Sequence, residues 1–181
     1  MKKELVIFIG SLISGIIVSC SSNKKDYITK DIFSAVEAKD IELVENLLKS
    51  GVDPNKKNKF GATPLHTAIT KKANLIAKIL LKYKANPMAK TKTGTTPLHL
   101  AAFSGNTEMV KLLIEKGADP NVRNNNGITP LHLAACKGYW DTVKTLLKKG
   151  ADPKLKAVDG RTPYEWAIIK GHHQVALLLK K

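Results

Sequence analysis

Apolar residues return at a fixed interval along most of this chain. Val44, Leu47 and Leu48 stand at i, i+3 and i+4, and the same spacing recurs in Ala77, Leu80 and Leu81, in Val110, Leu113 and Ile114, and in Val143, Leu146 and Leu147, 33 residues further on each time. That spacing places each triplet on one face of a helix. A shorter apolar segment precedes each of the last three triplets, centred on Leu65, Leu98 and Leu131, with alanines behind it small enough to let neighbouring helices approach. The pattern predicts five helix-turn-helix units over 29–57, 58–90, 91–123, 124–156 and 157–181. In the first, helices are expected over Asp31–Ala38 and Ile41–Ser50. None of these units has enough apolar surface to form a core alone, so each must bury its face against its neighbours.

Two polar phrases keep the same period. Thr63-Pro64-Leu65-His66 returns as Thr96-Pro97-Leu98-His99 and Thr129-Pro130-Leu131-His132, with an altered copy at Thr162-Pro163-Tyr164-Glu165. Gly51-Val52-Asp53-Pro54 returns as Lys84-Ala85-Asn86-Pro87, Gly117-Ala118-Asp119-Pro120 and Gly150-Ala151-Asp152-Pro153. The phrase T-P-L-H-x-A at a 33-residue period resembles the ankyrin repeat, a β-turn followed by two antiparallel helices. The resemblance covers about residues 30–181. It implies an all-α ankyrin solenoid of five repeats with short β-hairpin or turn fingers, and a protein-binding scaffold without chemistry of its own. It also implies that His66, His99 and His132 are structural residues bonding between neighbouring turns, and that partners are met by the finger tips and the concave groove beneath them.

Local signals agree with that frame. Gly61, Gly94 and Gly127 mark turns. The threonine after each can cap a helix, and the following proline sits where a missing N–H is harmless. Repeat one has Lys30-Asp31-Ile32-Phe33 in place of the motif and reads as a cap. Repeat two departs from the period at Lys72 and Lys84, where other repeats carry glycine. A left-handed non-glycine residue costs about 1–2 kcal/mol, so repeat two is expected to be the loosest internal unit. Lys180 falls in the register of Leu48, Leu81, Ile114 and Leu147 and should give the last repeat a polar outer end.

The N-terminus is different in kind. Met1-Lys2-Lys3-Glu4 is followed by the apolar run Leu5–Val18 and then Ser19-Cys20, the layout of a secretory signal. Ile17-Val18-Ser19-Cys20 resembles a bacterial lipobox. That resemblance implies a signal peptide over 1–19, a lipidated Cys20 anchoring the chain to a membrane, and a polar tether over 20–28. Ser21 after the cysteine resembles an outer-membrane sorting residue. The competing reading is an uncleaved single-pass anchor, but the run spans roughly 22 Å at ~1.5 Å per residue, short of the ~30 Å hydrocarbon core.

Charge and candidate chemistry add a surface to this frame. The formal charge is +15, and +14 once Lys2, Lys3 and Glu4 leave with a signal segment. Such an excess favours acidic partners. Lys57, Lys90, Arg123 and Lys156 each stand four residues before a turn glycine, one cation per repeat, and Lys59, Lys92 and Arg161 thicken the stripe. The groove below is expected to present Phe60, Phe103, Ile128, Cys136, Lys137 and Ile169 to a protein partner with an acidic surface. Lys78, Lys111 and Lys144 repeat on the second helices, so a generally solvated basic surface explains part of the stripe. Cys136 is the only cysteine besides Cys20, which leaves no disulfide between two core cysteines. No nucleophile–base pattern, phosphate-cradling loop or paired carboxylate is present, and no cofactor, metal or enzymatic activity is expected. His172-His173 is a weak metal candidate, since adjacent helical residues diverge. Three further partner classes compete with a protein: anionic envelope polymers, lipid head groups, and nucleic acid. The last is disfavoured because no base-stacking aromatic platform is visible. A monomer is expected, and a secreted or cytoplasmic ankyrin effector is the alternative should the signal be misread.

Overall fold

A computed structural model of the chain describes residues 31–180. The signal peptide expected over 1–19, Cys20 and the tether to residue 28 lie outside the described residues. Ten helices and no strands occur among the described residues, which fall into two compact units, 31–52 and 53–180.

In the first unit, α1 (Ile32–Glu37) and α2 (Ile41–Lys49) form a helical hairpin. Asp40 starts α2 by accepting the Leu43 N–H at 3.0 Å, which satisfies one of the amides a helix leaves unpaired at its start. Ile32, Ala35 and Val36 from α1 and Leu43, Val44, Leu47 and Leu48 from α2 are buried. The turn between the helices holds Lys39 at φ 56°. Lys39 lies 33 residues before Lys72, a left-handed position the motif-poor first repeat conceals.

The second unit stacks four more hairpins: α3 (Pro64–Thr70) with α4 (Asn74–Lys82), α5 (Pro97–Phe103) with α6 (Thr107–Glu115), α7 (Pro130–Cys136) with α8 (Trp140–Lys148), and α9 (Pro163–Ile169) with α10 (His173–Leu179). The first helices run side by side in the order α3, α5, α7, α9, and the second helices α6, α8 and α10 pack alongside one another behind them. Leu65, Leu98 and Leu131 are fully buried with Ala68, Ala101, Ala102, Ala134 and Ala135, as small residues between close helices require. On the second helices the expected triplet Ala77/Leu80/Leu81 is buried whole, with Ile76 beside it. In the next two repeats the face is rotated: Met109 and Thr142 are buried beside Val110/Leu113 and Val143/Leu146, whereas Ile114 and Leu147 are only half-buried. There the face turned inward is i, i+1, i+4, and the last position of the triplet lies at its edge. Thr142 fits the core because its hydroxyl bonds to that of Thr107 at 2.8 Å.

The fingers are tight turns. In the first, the Gly61 N–H donates to the Asn58 carbonyl, the Asn58 N–H donates to the Ala62 carbonyl, and Gly61 takes φ +76° to close the loop. The Asn58 carboxamide oxygen also accepts from Phe60 and Ala62. The same backbone pair recurs at 91–95, 124–128 and 157–161. Adjacent fingers are joined by one backbone bond each: Lys92 N–H to Phe60 at 3.0 Å, Asn125 to Thr93 at 3.1 Å, and Val158 to Asn126 at 2.9 Å. One bond per joint does not build a ladder, which is why the expected β-hairpins are turns.

A second tie runs along the Asp-Pro phrase. Asn55 donates to the Lys84 carbonyl and accepts from the Asn86 N–H at 2.7 Å, and Asn121 repeats both bonds with Gly150 and Asp152. Between them Met88 occupies the asparagine position, and the Asp119 N–H meets its sulfur at 3.2 Å. A thioether is a weak acceptor and no donor, so this joint is under-bonded. Repeat two also carries the two strained residues expected of it: Lys72 at φ 55° and Lys84 at φ 64°. At the other end Lys180 is exposed at the C-cap of α10 as expected, but Ile168 and Leu177 are exposed as well, so the last repeat is less polar than that lysine alone implied.

Lys72→Gly and Lys84→Gly are each expected to raise the unfolding free energy by about 1 kcal/mol, the relief of left-handed strain less the added freedom of glycine in the unfolded chain. Amides of 58–90 should exchange faster than those of 91–123, and the reverse order would refute the assignment of repeat two as the loosest. Met88→Asn should add about 1 kcal/mol in urea unfolding by restoring the two missing bonds. An unchanged midpoint would mean the sulfur contact already suffices.

Candidate interaction surface

The histidines of the motif are the most chemically suggestive residues of the array. Each sits in the first turn of its helix and is buried. The backbone N–H groups of Thr63, Thr96 and Thr129 donate to Nδ1 of His66, His99 and His132, each at 3.2 Å. A backbone amide can only donate, so Nδ1 is an acceptor and the proton of the neutral ring sits on Nε2. The threonine hydroxyls therefore also donate to Nδ1, at 2.8–2.9 Å. Thr63, Thr96 and Thr129 also accept from the N–H of the third helical residue, as expected, which completes a reciprocal capping box; at Thr129 the His132 N–H lies 3.4 Å from Oγ1. Nε2–H then donates to a carbonyl of the next repeat: Thr95 for His66 at 3.1 Å, Ile128 for His99 at 2.9 Å, and Arg161 for His132 at 3.1 Å.

Burial holds all three imidazoles below the ordinary histidine pKa of 6.5, and the bond to the neighbouring carbonyl opposes it. Lys57 beside His66 and Lys90 beside His99 push in the same direction as burial. With both nitrogens occupied, the rings have no lone pair or proton to offer a ligand. In repeat five Glu165 takes the histidine position, accepting the Thr162 N–H at 2.7 Å and its hydroxyl at 2.8 Å. These two bonds hold its carboxyl below the usual range.

The other chemical candidates are also tied into the fold. His172 Nε2 lies 3.0 Å from the Cys136 carbonyl, and its ring stacks so closely on Gly138 that a Cβ there would lie 2.5 Å from Nδ1. Lys39 and Lys72 hold a positive φ at the same register, so at Gly138 it is the imidazole that leaves no room for a side chain. Cys136 closes α7, half-buried and free of any disulfide. Among the described residues no three His, Cys, Asp or Glu side chains gather as a metal site would require.

The expected basic stripe lies on and beside the fingers. Lys57, Lys59, Lys90, Lys92, Arg123, Lys156 and Arg161 are all exposed. They are not equivalent. The Arg123 guanidinium donates to the Lys156 carbonyl at 2.7 Å and to the Gly127 carbonyl, clamping two fingers together. Arg161 faces Asp159 at 3.7 Å, and the Lys59 ammonium lies over the Phe60 ring at 5.1 Å.

Of the expected groove residues, the structure brings together two sets. The Lys137 ammonium stands over the Phe103 ring at 4.5 Å, joining repeats three and four. Cys136 and Ile169 line one cavity with Arg161, Asp159, Trp166 and Lys170. Phe60, 63% exposed, stays on the finger tip with Lys59, and Ile128 is half-buried at the base of its finger, where its carbonyl receives His99. Trp166, Asp159 and Lys170 were not foreseen. Trp166 could have been, because it shares a register with Thr67, Leu100 and Leu133, a half-exposed row on the first helices.

Stacked helical hairpins joined by turn fingers and an imidazole ladder define a repeat scaffold. The chain matches the family model for ankyrin repeats (3 copies) over residues 32–124 and 117–181, and it belongs to the ankyrin-repeat family. Ankyrin repeats are protein–protein interaction modules that generally carry no catalysis. No curated protein matches the chain.

The histidine geometry carries a pH dependence. The folded state keeps three imidazoles neutral with pKa below 6.5, while the unfolded chain takes up protons as pH falls through that value. Stability is therefore complete above about pH 7 and is lost as pH falls through about 6.5 toward the lowered folded values. Urea midpoints between about pH 7.5 and pH 5 should drop with acid, and His99→Gln should make that drop shallower by about a third, one ring in three. Midpoints that rise or stay level on acidification would contradict the neutral-ladder assignment.

Proposed function

We propose that this protein is a non-catalytic adaptor that holds a partner protein at a bacterial cell envelope, tethered there through a lipidated Cys20. The observation that carries the binding half is the pairing of exposed apolar side chains with cations at the C-terminal ends of the first helices. Phe103 is 48% exposed beneath Lys137, and Ile169 is 57% exposed beside Arg161 and Lys170. Apolar anchors ringed by charge are how protein interfaces concentrate affinity and steer an oppositely charged partner. The tethering half is supported by Ile17-Val18-Ser19-Cys20 behind its apolar run. No described helix is long and apolar enough to cross a membrane.

One observation favours a second reading. Between α6 and α8 a hollow of about 420 Å³ is lined by Lys111, Lys144, Lys148 and Lys149 together with Thr107, Thr145 and Asp141. Such a hollow suits anionic envelope polymers or lipid head groups. Salt separates the two, because charge-only binding is screened and an apolar anchor is not.

Mass spectrometry of the native N-terminus should find an acylated Cys20, and an unmodified Met1 would remove the envelope tether. Crosslinked capture from native cells should yield a protein whose binding survives about 0.5 M salt and weakens about tenfold in Phe103→Ala, roughly the loss of one interface anchor. Capture that is unchanged in Phe103→Ala and in Lys57→Glu/Lys90→Glu would end the adaptor reading. Loss of all binding at that salt would favour the anionic-polymer reading instead.

A further inference from the structure

Beside the last finger, Trp166, Ile169 and Cys136 form the apolar part of a cavity of about 330 Å³, and Arg161, Lys170 and Asp159 complete its lining. The tryptophan is held in place twice. Its ring meets His132 edge-on at 5.3 Å between centroids, and its Nε1–H donates to the Asp159 carboxylate at 3.3 Å. Asp159 also faces Arg161, so the only carboxylate in the lining is engaged from two sides and two cations stand against it. The volume lies at the low end for ligand pockets, room for one bulky side chain with part of the chain that carries it and not for a large cofactor.

Cys136 and Ile169 of this lining belong to a longer row. Phe103, Cys136 and Ile169 end three successive first helices at the 33-residue interval, and the Lys137 ammonium covers Phe103. Packed helices lie ~8–10 Å apart and an extended chain advances ~3.3 Å per residue, so crossing one repeat takes about three residues. A segment anchored at Ile169 reaches Phe103 about six residues on.

We propose that this cavity receives one bulky apolar side chain of an extended acidic segment in the partner protein, with flanking carboxylates paired to Arg161, Lys170 and Lys137. The inference rests on the adaptor reading and deepens it by naming what is recognised. Charge complementarity selects an acidic occupant, since the whole chain carries +15. The apolar wall selects a protein segment, because a uniformly anionic polymer would leave Trp166 and Ile169 without a partner.

The test uses the full chain with Trp140→Phe, which leaves Trp166 as the only one of two tryptophans. It is titrated with an array of synthetic nonapeptides of Asp, Glu and Ser, each with Leu, Ile, Met or Phe at the centre, and with oligoglutamate of equal length. Apolar-centred peptides should shift Trp166 emission and bind at least tenfold more tightly than oligoglutamate. Ile169→Asp, at a position exposed enough to leave the fold intact by circular dichroism, should weaken them at least tenfold, and Lys170→Glu several-fold. The proposal is overturned if oligoglutamate binds as tightly as the array, if Ile169→Asp changes affinity less than twofold, or if no peptide moves Trp166. Should the array be silent while partner capture still depends on Phe103, the adaptor reading stands and the cavity proposal alone falls. Peptide binding without partner capture supports the cavity and removes the adaptor reading.

Discussion

Every joint between repeats two and five has to satisfy two backbone groups that point in opposite directions. One is a threonine amide at the start of a helix, and the other is the carbonyl just before the start of the next. A neutral imidazole meets both, because Nδ1 accepts while Nε2–H donates and the rigid ring fixes the distance between them. The contacts of 2.9–3.1 Å from Nε2 to the next repeat show how little play this leaves. A carboxylate cannot do this, having only acceptors. Glu165 accordingly appears at the one histidine position where no later repeat among the described residues offers a carbonyl. The same constraint removes these histidines from chemistry. A ring that must stay neutral, buried and bonded at both nitrogens is neither a metal ligand nor a general base.

Once the ladder and the alanine-lined helix contacts set the spacing, the fingers and the open side of the first helices are free to vary. Arg123 shows how the two roles can overlap, since its guanidinium clamps neighbouring fingers through their carbonyls while remaining at the surface. The side chains of Lys57, Lys90 and Lys156 clamp no neighbouring finger and add charge at exposed positions, the first two also opposing protonation of His66 and His99. The row Phe103, Cys136 and Ile169 places unlike residues at equivalent places on successive helices. Recognition by this fold therefore resides in the differences between repeats, and the shared residues supply only the frame.

Stability is unevenly distributed for the same reason. Repeat two keeps the ladder histidine but holds Lys72 and Lys84 left-handed, and its Met88 breaks the asparagine tie present at Asn55 and Asn121. In a stack whose stability is a sum over repeats and joints, such a unit is expected to be the loosest of the internal repeats. The partner contacts proposed at repeats three to five thus fall on the better-bonded part of the array.

Much of the frame was legible along the chain. Helix starts follow from Thr-Pro, turns from glycine, and helix faces from apolar spacing, because each depends on residues within a turn or two of one another. The fine rotation of the second helices was not, since burying Met109 over Ile114 depends on what the neighbouring helix offers. Lys39 was hidden because the first repeat lacks the motif that fixes the register of the others. The carbonyls that receive the histidines lie 29 residues away in sequence, and the meetings of Lys137 with Phe103 and of Trp166 with His132 and Cys136 also cross repeats. By itself the sequence determined the repeating unit and its period, because local patterns specify local structure. Only the tertiary structure decided which side chains share a cavity, because that is set by how one repeat rotates onto the next, a quantity no single repeat encodes.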